Sequence, residues 1–276
     1  MNNLTLRAIS GTVYVALISI CILMGTWPAW ILLLVITFFS LWEYKTLLLK
    51  ELSILQKILF LLTGLFLYAV LSLWQFMYIP SYIYGIVLIV ALLPFIVELF
   101  HIHGSPFDVI GRQFTGFIYI SVSMGLMFGI GFKMVLMNTD GVLVYNSFLL
   151  LTVFIMIWCN DTFAYLTGRL LGKNPLFSRV SPKKTVEGLI GGIVFTLILA
   201  FVMFKWKHQL SLTEYMIMGL LICIGATLGD LIESLLKRSL DVKDSGKLIP
   251  GHGGMLDRID ASLIAVWFAY FYLQII

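Results

Sequence analysis

The chain has 276 residues, of which 61% are apolar and only 12% are charged, and its mean hydropathy is +1.02. Soluble domains are roughly half apolar and a quarter charged, so this composition excludes a water-soluble globular protein and assigns the surplus apolar surface to lipid. The net charge of +4 is small and scattered, which excludes a nucleic-acid partner. The three cysteines all lie in apolar runs and predict neither a disulfide framework nor a thiolate metal site.

Long apolar runs predict an all-α, polytopic integral membrane protein. A helix needs about 20 apolar residues to cross the hydrocarbon layer. Nine runs of suitable length occur, at 9–27, 29–48, 54–76, 81–100, 115–137, 147–170, 188–205, 213–229 and 259–276. We therefore expect a single membrane domain over 1–276, with N-terminal helices in 1–146 and the helices and cytoplasmic loops that carry the chemistry in 147–276.

The basic residues predict which face of the membrane each loop occupies. When nine helices are threaded through the bilayer, 15 of the 18 Lys and Arg residues fall on one face. Basic loops stay in the cytoplasm, so the N-terminus is expected inside and the C-terminus outside. The polar segments 171–187 and 230–258 then share the cytoplasmic face of an inner (plasma) membrane.

The sixth predicted helix carries an acid below the membrane surface. Asp161 follows Asn160 about nine residues before the cytoplasmic end, which is roughly 13 Å of depth at 1.5 Å per residue. A carboxylate at that depth is costly when it faces lipid, so Asp161 is expected to face a wet cavity or a cation. A structural hydrogen bond to a neighbouring helix is the alternative.

The next polar segment, 172–188, contains two prolines, which prevent it from forming one helix. Its hydroxyl and ammonium groups suit a polyphosphate. These groups belong to Ser181, Lys183, Lys184 and Thr185. A lysine pair beside a membrane is also an ordinary topology signal, so this segment alone does not decide between the two interpretations.

The segment that leaves the eighth helix is the richest in charge. One helical face carries Asp230, Glu233, Ser234 and Lys237. A glycine-rich loop leads from there to Asp257 and Asp260 at the start of the ninth helix. Acids interleaved with bases indicate a hard cation beside phosphate groups, because carboxylates hold Mg²⁺ while Lys and Arg bind phosphate oxygens. A structural network of ion pairs is the alternative.

These residues resemble the signature of the phosphatidate cytidylyltransferases (CDP-diacylglycerol synthases). The matching positions are Ser234-x-x-Lys237-Arg238, Lys243-Asp244, Gly246, Pro250 and His252-Gly253-Gly254-x-x-Asp257-Arg258-x-Asp260. Upstream, Asn160-Asp161 and Ser181-Pro182-Lys183-Lys184-Thr185-x-Glu187-Gly188 are similar to the family's other characteristic stretch. The resemblance covers about 158–276, whereas the first 150 residues match only in being hydrophobic.

The resemblance implies transfer of the cytidylyl group of CTP to phosphatidic acid, which gives CDP-diacylglycerol and pyrophosphate. It implies Mg²⁺ as the cofactor, with a second cation left open, and a bilayer-embedded, usually dimeric protein. The implied metal ligands are Asp230, Asp257 and Asp161. The implied catalytic residues are Asp230, Asp257, Lys237, Arg238, Lys243, Asp244 and Arg258. The implied CTP-binding residues are Asn160, Asp161, Ser181, Lys183, Lys184, Thr185, Glu187, His252, Gly253 and Gly254.

The expected chemistry needs no strong general base, since a lipid phosphate oxygen is already anionic near neutral pH. His252 is therefore expected to shape the loop or contact phosphate. A transporter or channel, with the intramembrane acids lining an ion path, remains a rival class. An enzyme that uses CTP on another membrane phosphate, such as a polyprenyl phosphate or an ether lipid, also remains open. Glycines at 125, 129, 188, 191 and 192 permit close helix packing and are compatible with a homodimer.

Overall fold

The chain divides into two compact units. The computed structural model describes residues 3–75, 77, 80, 82–101, 105–132, 144–248 and 253–276. The N-terminal unit contains Met1–Tyr145 and Ser245–Leu256, and the C-terminal unit contains Asn146–Asp244 and Asp257–Ile276. The segment 245–256 therefore folds with the N-terminal helices, although its neighbours on both sides in sequence belong to the C-terminal unit.

Most of the described residues of the N-terminal unit are helical. Its helices are α1 (Asn3–Leu23), α2 (Thr26–Leu48), α3 (Ile54–Leu73), α4 (Tyr82–Ala91), α5 (Leu93–Glu98), α6 (Pro106–Gly116), a π-helical turn (Phe117–Val122) and α7 (Ser123–Ile130). The predicted helices 9–27 and 29–48 are separated at Pro28. In the structure the first two helices are separated at Gly25, which has a φ of +118°. Pro28 is accommodated in the first turn of α2, where no intrahelical N–H bond is lost.

Hydrogen bonds and stacked aromatic rings hold the ends of α2 and α6 together in this unit. Tyr44 stacks on Phe60, with ring centroids 6.1 Å apart, and its hydroxyl donates to the carbonyl oxygen of Arg112 over 2.8 Å. The Arg112 guanidinium donates to the carbonyl oxygen of Leu48 over 3.0 Å and pairs with Glu51. The carbonyl oxygen of Leu48, the last residue of α2, thus finds a partner that the helix itself cannot supply.

The C-terminal unit contains four long helices and a short hairpin. The helices are α8 (Ser147–Leu171), α9 (Val186–Lys207), α10 (Leu212–Ser239) and α11 (Leu256–Ile275), whose first residue belongs to the N-terminal unit. The strands β1 (Pro175–Phe177) and β2 (Ser181–Thr185) pair antiparallel. The all-α prediction is therefore wrong in this detail: two prolines stop helix formation, and the short chain between α8 and α9 pairs with itself instead.

Glycines allow the helices of the C-terminal unit to touch at their backbones. A methyl group at Gly188 would lie 2.7 Å from the carbonyl oxygen of Ala164, so α9 packs directly on α8. A methyl group at Gly225 would lie 2.6 Å from the Cα atom of Ala265, and one at Gly229 would overlap the carbonyl oxygen of Asp260. These glycines pack helices within one chain.

Among the described residues, six helices are long and apolar enough to cross a membrane. They are Thr26–Leu48, Ile54–Leu73, Pro106–Ile130, Ser147–Leu171, Val186–Lys207 and Leu212–Ser239. The predicted helical membrane-protein character is confirmed, while the number of nine crossings stays a prediction. The predicted fifth crossing at 115–137 begins nearer the N-terminus, at Pro106, and its last residues lie outside the described part.

Candidate active site

A cavity of about 770 Å³ opens within the C-terminal unit. Residues of α8, the hairpin, α9, α10 and the start of α11 line it. The charged residues of its wall are Asp161, Arg169, Lys183, Lys184, Asp230, Lys237, Asp244, Asp257, Arg258 and Asp260. Five carboxylates and five basic side chains therefore face one space. A cavity so balanced is suited to metal ions and phosphates together, because each charge type has a counterpart in such ligands.

Asn160 and Asp161 line the cavity from α8. Asn160 is 2% exposed, and its Nδ2 donates to Asp161 Oδ1 over 3.5 Å. A methyl group at Gly192 would lie 2.6 Å from Asn160 Oδ1, so close packing of α9 on α8 fixes this amide. The expectation that Asp161 faces a polar cavity is in agreement with this geometry.

The hairpin supplies the lysine pair. Lys183 and Lys184 are on β2 and line the cavity, and Lys184 pairs with Asp230 of α10. Thr185 ends the strand and caps α9, because its Oγ1 accepts from the Gly188 N–H over 3.1 Å. The lysines are thereby fixed immediately before a helix N-terminus, a position that also favours anions.

Glu187 organises the chain that leads into the hairpin. Its carboxylate accepts the N–H of Lys173 over 3.1 Å, and it accepts the N–H and the Nδ2 of Asn174 over 3.2 and 2.7 Å. It does not line the cavity wall. The expectation that it binds CTP stays a prediction, and its observed contacts hold the 172–175 backbone.

Lys237 joins α10 to the start of α11. Its Nζ lies 2.9 Å from Asp257 Oδ1 and also pairs with Glu233, whose side chain is fully buried. Asp230 is two turns earlier on the same face of α10 and accepts from Ser234 Oγ over 3.4 Å. The predicted polar face of α10 is therefore present. The close approach of Gly229 to the backbone of Asp260 brings α10 and α11 near enough for side chains of this face to contact α11.

The residues present fit a divalent cation, although they do not form a complete cage. Among the residues that the structure describes, no three His, Cys, Asp or Glu side chains form a metal cluster. Mg²⁺ does not require one, since proteins usually hold it with one or two carboxylates and leave the other positions to water and substrate phosphates. Asn160 Oδ1 is a buried acceptor without a hydrogen-bond partner in the described part of the chain, and it adjoins Asp161. A hard cation would satisfy that oxygen.

Some predicted site residues lie elsewhere. Ser181, Arg238 and Lys243 are not part of the cavity wall, and the side chains of the last two are exposed. Gly253, at φ +85°, and Gly254 belong to the N-terminal unit. The predicted contact of His252 lies outside the described residues.

Asp260, one of the acids expected beside a cation, lines the cavity. Arg169 of α8 and Thr227 of α10, which have no predicted role in the site, also line it. Helical spacing could have found them, since Thr227 precedes Asp230 by three residues and Arg169 follows Asp161 by eight, so that each pair shares a helical face.

The chain matches the family model described as the cytidylyltransferase family over residues 5–276. It is 48% identical over 134 residues to the phosphatidate cytidylyltransferase of Haemophilus influenzae, an alignment that covers 46% of each chain. It is 46% identical over 123 residues to the phosphatidate cytidylyltransferase of Bacillus subtilis, covering 44% of this chain and 45% of the relative. The chain thus spans about half the length of the curated relatives it matches.

Proposed function

The chain belongs to the cytidylyltransferase family, and we propose that it transfers the cytidylyl group of CTP to phosphatidic acid. The products are CDP-diacylglycerol and pyrophosphate. The observation that carries this proposal is a cavity whose wall contains five carboxylates and five basic side chains. Both substrates are polyanions, and they can meet only where fixed cations, or cations held by carboxylates, offset their repulsion.

The reaction exchanges one phosphorus–oxygen bond for another. A phosphate oxygen of phosphatidic acid attacks the α-phosphorus of CTP, and the bond from that phosphorus to the bridging oxygen of pyrophosphate breaks. The bonding electrons leave with pyrophosphate, so the total charge is unchanged and no proton has to be removed first. Catalysis then consists of positioning the two phosphates in line and stabilising the leaving charge.

The basic side chains of the cavity are suited to this work. Lys183, Lys184 and Arg169 line the side formed by α8 and the hairpin, where a triphosphate would also meet the N-terminus of α9. Lys237 and Arg258 line the side formed by α10 and α11. With the triphosphate on the first side, the second side would receive the lipid phosphate.

Mg²⁺ is part of the proposal. Asp161, Asp230 and Asp257 would hold it, with Asn160 Oδ1 as a further oxygen ligand. When bound, the ion would neutralise phosphate charge and align the reacting groups. Asp244 and Asp260 are two further carboxylates of the cavity wall, which would accommodate a second cation.

We also propose the membrane arrangement. Nine crossings place the N-terminus inside, the C-terminus outside and the cavity at the cytoplasmic face of the plasma membrane, where CTP is available. The basic residues of the loops support this orientation. A homodimer embedded in the bilayer completes the proposal.

The test is a direct assay of purified protein with labelled CTP, Mg²⁺ and phosphatidic acid in mixed micelles. We expect a lipid-soluble cytidine product and one pyrophosphate per product. Chelation with EDTA should stop the reaction, and Mg²⁺ should restore it. Asp257→Asn should abolish turnover, whereas Asp241→Asn should not, because Asp241 is exposed, lies outside the cavity wall and has φ +53°, which Asn tolerates.

Two further assays distinguish the alternative functions. If a polyprenyl phosphate reacts with CTP while phosphatidic acid does not, the acceptor is a different membrane lipid. Ion flux through reconstituted vesicles, without any cytidine-containing lipid, would indicate a transporter instead.

A further inference from the structure

Glu43 is a buried acid that the proposed reaction does not use directly. It lies near the cytoplasmic end predicted for α2, five residues before Leu48, and is 6% exposed. Three donors converge on its carboxylate: Ser245 Oγ at 3.0 Å, the Met255 N–H at 2.8 Å and the Leu256 N–H at 2.9 Å. Both carboxylate oxygens are engaged, and all the partners belong to the N-terminal unit.

The loop is shaped around this carboxylate. A methyl group at Gly246 would overlap the Glu43 side chain, and one at Gly254 would overlap both Glu43 and Ser245 Oγ. Two glycines of the signature loop are thus explained by the space that Glu43 occupies. Because the donors are Ser245 at one end of the segment 245–256 and Met255 and Leu256 at the other, one side chain joins the two ends of that segment.

The contact also fixes the start of α11. The first N–H groups of a helix have no partner within it, and a carboxylate there both accepts them and complements the helix dipole. Glu43 does this for the N–H groups of Met255 and Leu256, and Asp257 is the next residue of the same continuous helix. The orientation of the first turn of α11 therefore depends on Glu43.

We propose that Glu43 is a positioning residue for the transfer reaction: it fixes the first turn of α11 and, through the backbone, the carboxylate of Asp257. The inference rests on the proposed function and adds a role for the N-terminal helices. A carboxylate is required because three donors face it. The amide of Gln would turn an NH₂ group towards at least one of them, which leaves a buried donor unsatisfied.

The test compares Glu43→Gln with Glu98→Gln. Glu98 is a matched control, because it is a buried carboxylate of the same unit, 4% exposed, that accepts from Gln56 Nε2 over 2.7 Å. Three quantities are measured: amide hydrogen exchange in 245–248 and 253–258, the Mg²⁺ concentration that half-saturates thermal protection in the presence of CTP, and turnover. The first two are readouts that do not depend on turnover.

We expect Glu43→Gln to speed exchange of the Met255 and Leu256 amides and to raise the half-saturating Mg²⁺ concentration about tenfold, the lower end of the effect of losing an outer-shell partner of a metal ligand. Glu98→Gln should leave both unchanged. If Glu43→Gln does not fold, Ser245→Ala, which removes one donor to the same carboxylate, should shift both readouts in the same direction.

Unchanged exchange, or faster exchange with an unchanged Mg²⁺ midpoint, would overturn the inference. A wild type without Mg²⁺ protection would overturn it too. A wild type that Mg²⁺ protects but that makes no lipid product would refute only the proposed function, and the two other readouts would still decide the role of Glu43.

Discussion

Lys237 Nζ lies between two acids, pairing with the buried carboxylate of Glu233 and donating to Asp257 Oδ1 over 2.9 Å. Glu233 is one turn earlier on α10, while Asp257 is in the first turn of α11. One ammonium group therefore neutralises a buried acid and anchors the carboxylate that opens the next helix. Removing it would affect folding and the candidate site together.

Lys237→Met should leave Glu233 and Asp257 without their shared partner. Breaking a buried ion pair from one side costs about 3–5 kcal/mol, so we expect a clear drop in the unfolding temperature and loss of turnover. Lys173→Met is the control, because Lys173 is exposed and outside the cavity wall. Equal thermal stability of the two variants in the same detergent would contradict the prediction.

Lys184→Gln should raise the KM for CTP more than it lowers kcat. The variant loses one cation on the side of the cavity proposed for the triphosphate, and it leaves Asp230 without its ion-pair partner. We expect kcat/KM to fall by at least tenfold, which corresponds to about 1.4 kcal/mol. Lys243→Gln should cost less, because Lys243 is exposed and outside the cavity wall. Steady-state kinetics of the two variants test this prediction. A larger effect of Lys243→Gln would favour the catalytic role that the family resemblance implies for Lys243, despite its position outside the cavity wall.

Gly229→Ala should separate α10 from α11. The added methyl group would overlap the carbonyl oxygen of Asp260 and sit 3.1 Å from Ala261 Cα, and such overpacking typically costs 1–3 kcal/mol. Gly219→Ala, on the same helix, is the matched control, since its nearest neighbour, Thr196 Cγ2, would be 3.5 Å away. The expected result is lower thermal stability and activity for the first variant only. A Gly229→Ala protein as stable as the control would argue against the backbone contact.

Cysteine labelling should decide the orientation. Ser245 is unsuitable as a label site, because it is 4% exposed and bonded to Glu43, whereas Lys247 is exposed. In a background without Cys21, Cys159 and Cys223, Lys247→Cys should react in intact cells only with membrane-permeant reagents. Lys207→Cys should react with impermeant reagents as well. If impermeant reagents label both cysteines, the proposed topology is wrong.

The features with a local signal in the sequence were predictable. Long apolar runs set the helix positions, and α8 begins and ends within one residue of the predicted sixth crossing. The convergence of Asp161, Asp230 and Asp257 on one cavity was also foreseeable, because the basic residues predict one membrane face for the helix ends that carry these acids.

Other features depend on tertiary contacts that no local pattern encodes. The strands of the hairpin are defined only by their mutual pairing, and Glu43 bonds Ser245 across 202 positions in sequence. Glu43 could nonetheless have been singled out from the sequence, because an acid within an apolar helix usually has a functional or structural partner. Arg238 lies outside the cavity wall although its neighbour Lys237 lines it, since consecutive residues of a helix point about 100° apart.

The two sides of the cavity differ in how they can respond to a ligand. Where α10 meets α11, main chains touch at Gly225 and Gly229, and no change of rotamer can widen that gap. Opposite them, the lysines are on a hairpin of only two strands, an element of marginal intrinsic stability. Adaptation to nucleotides of different size or charge must therefore fall on the hairpin, and substitutions that retune nucleotide choice should accumulate there.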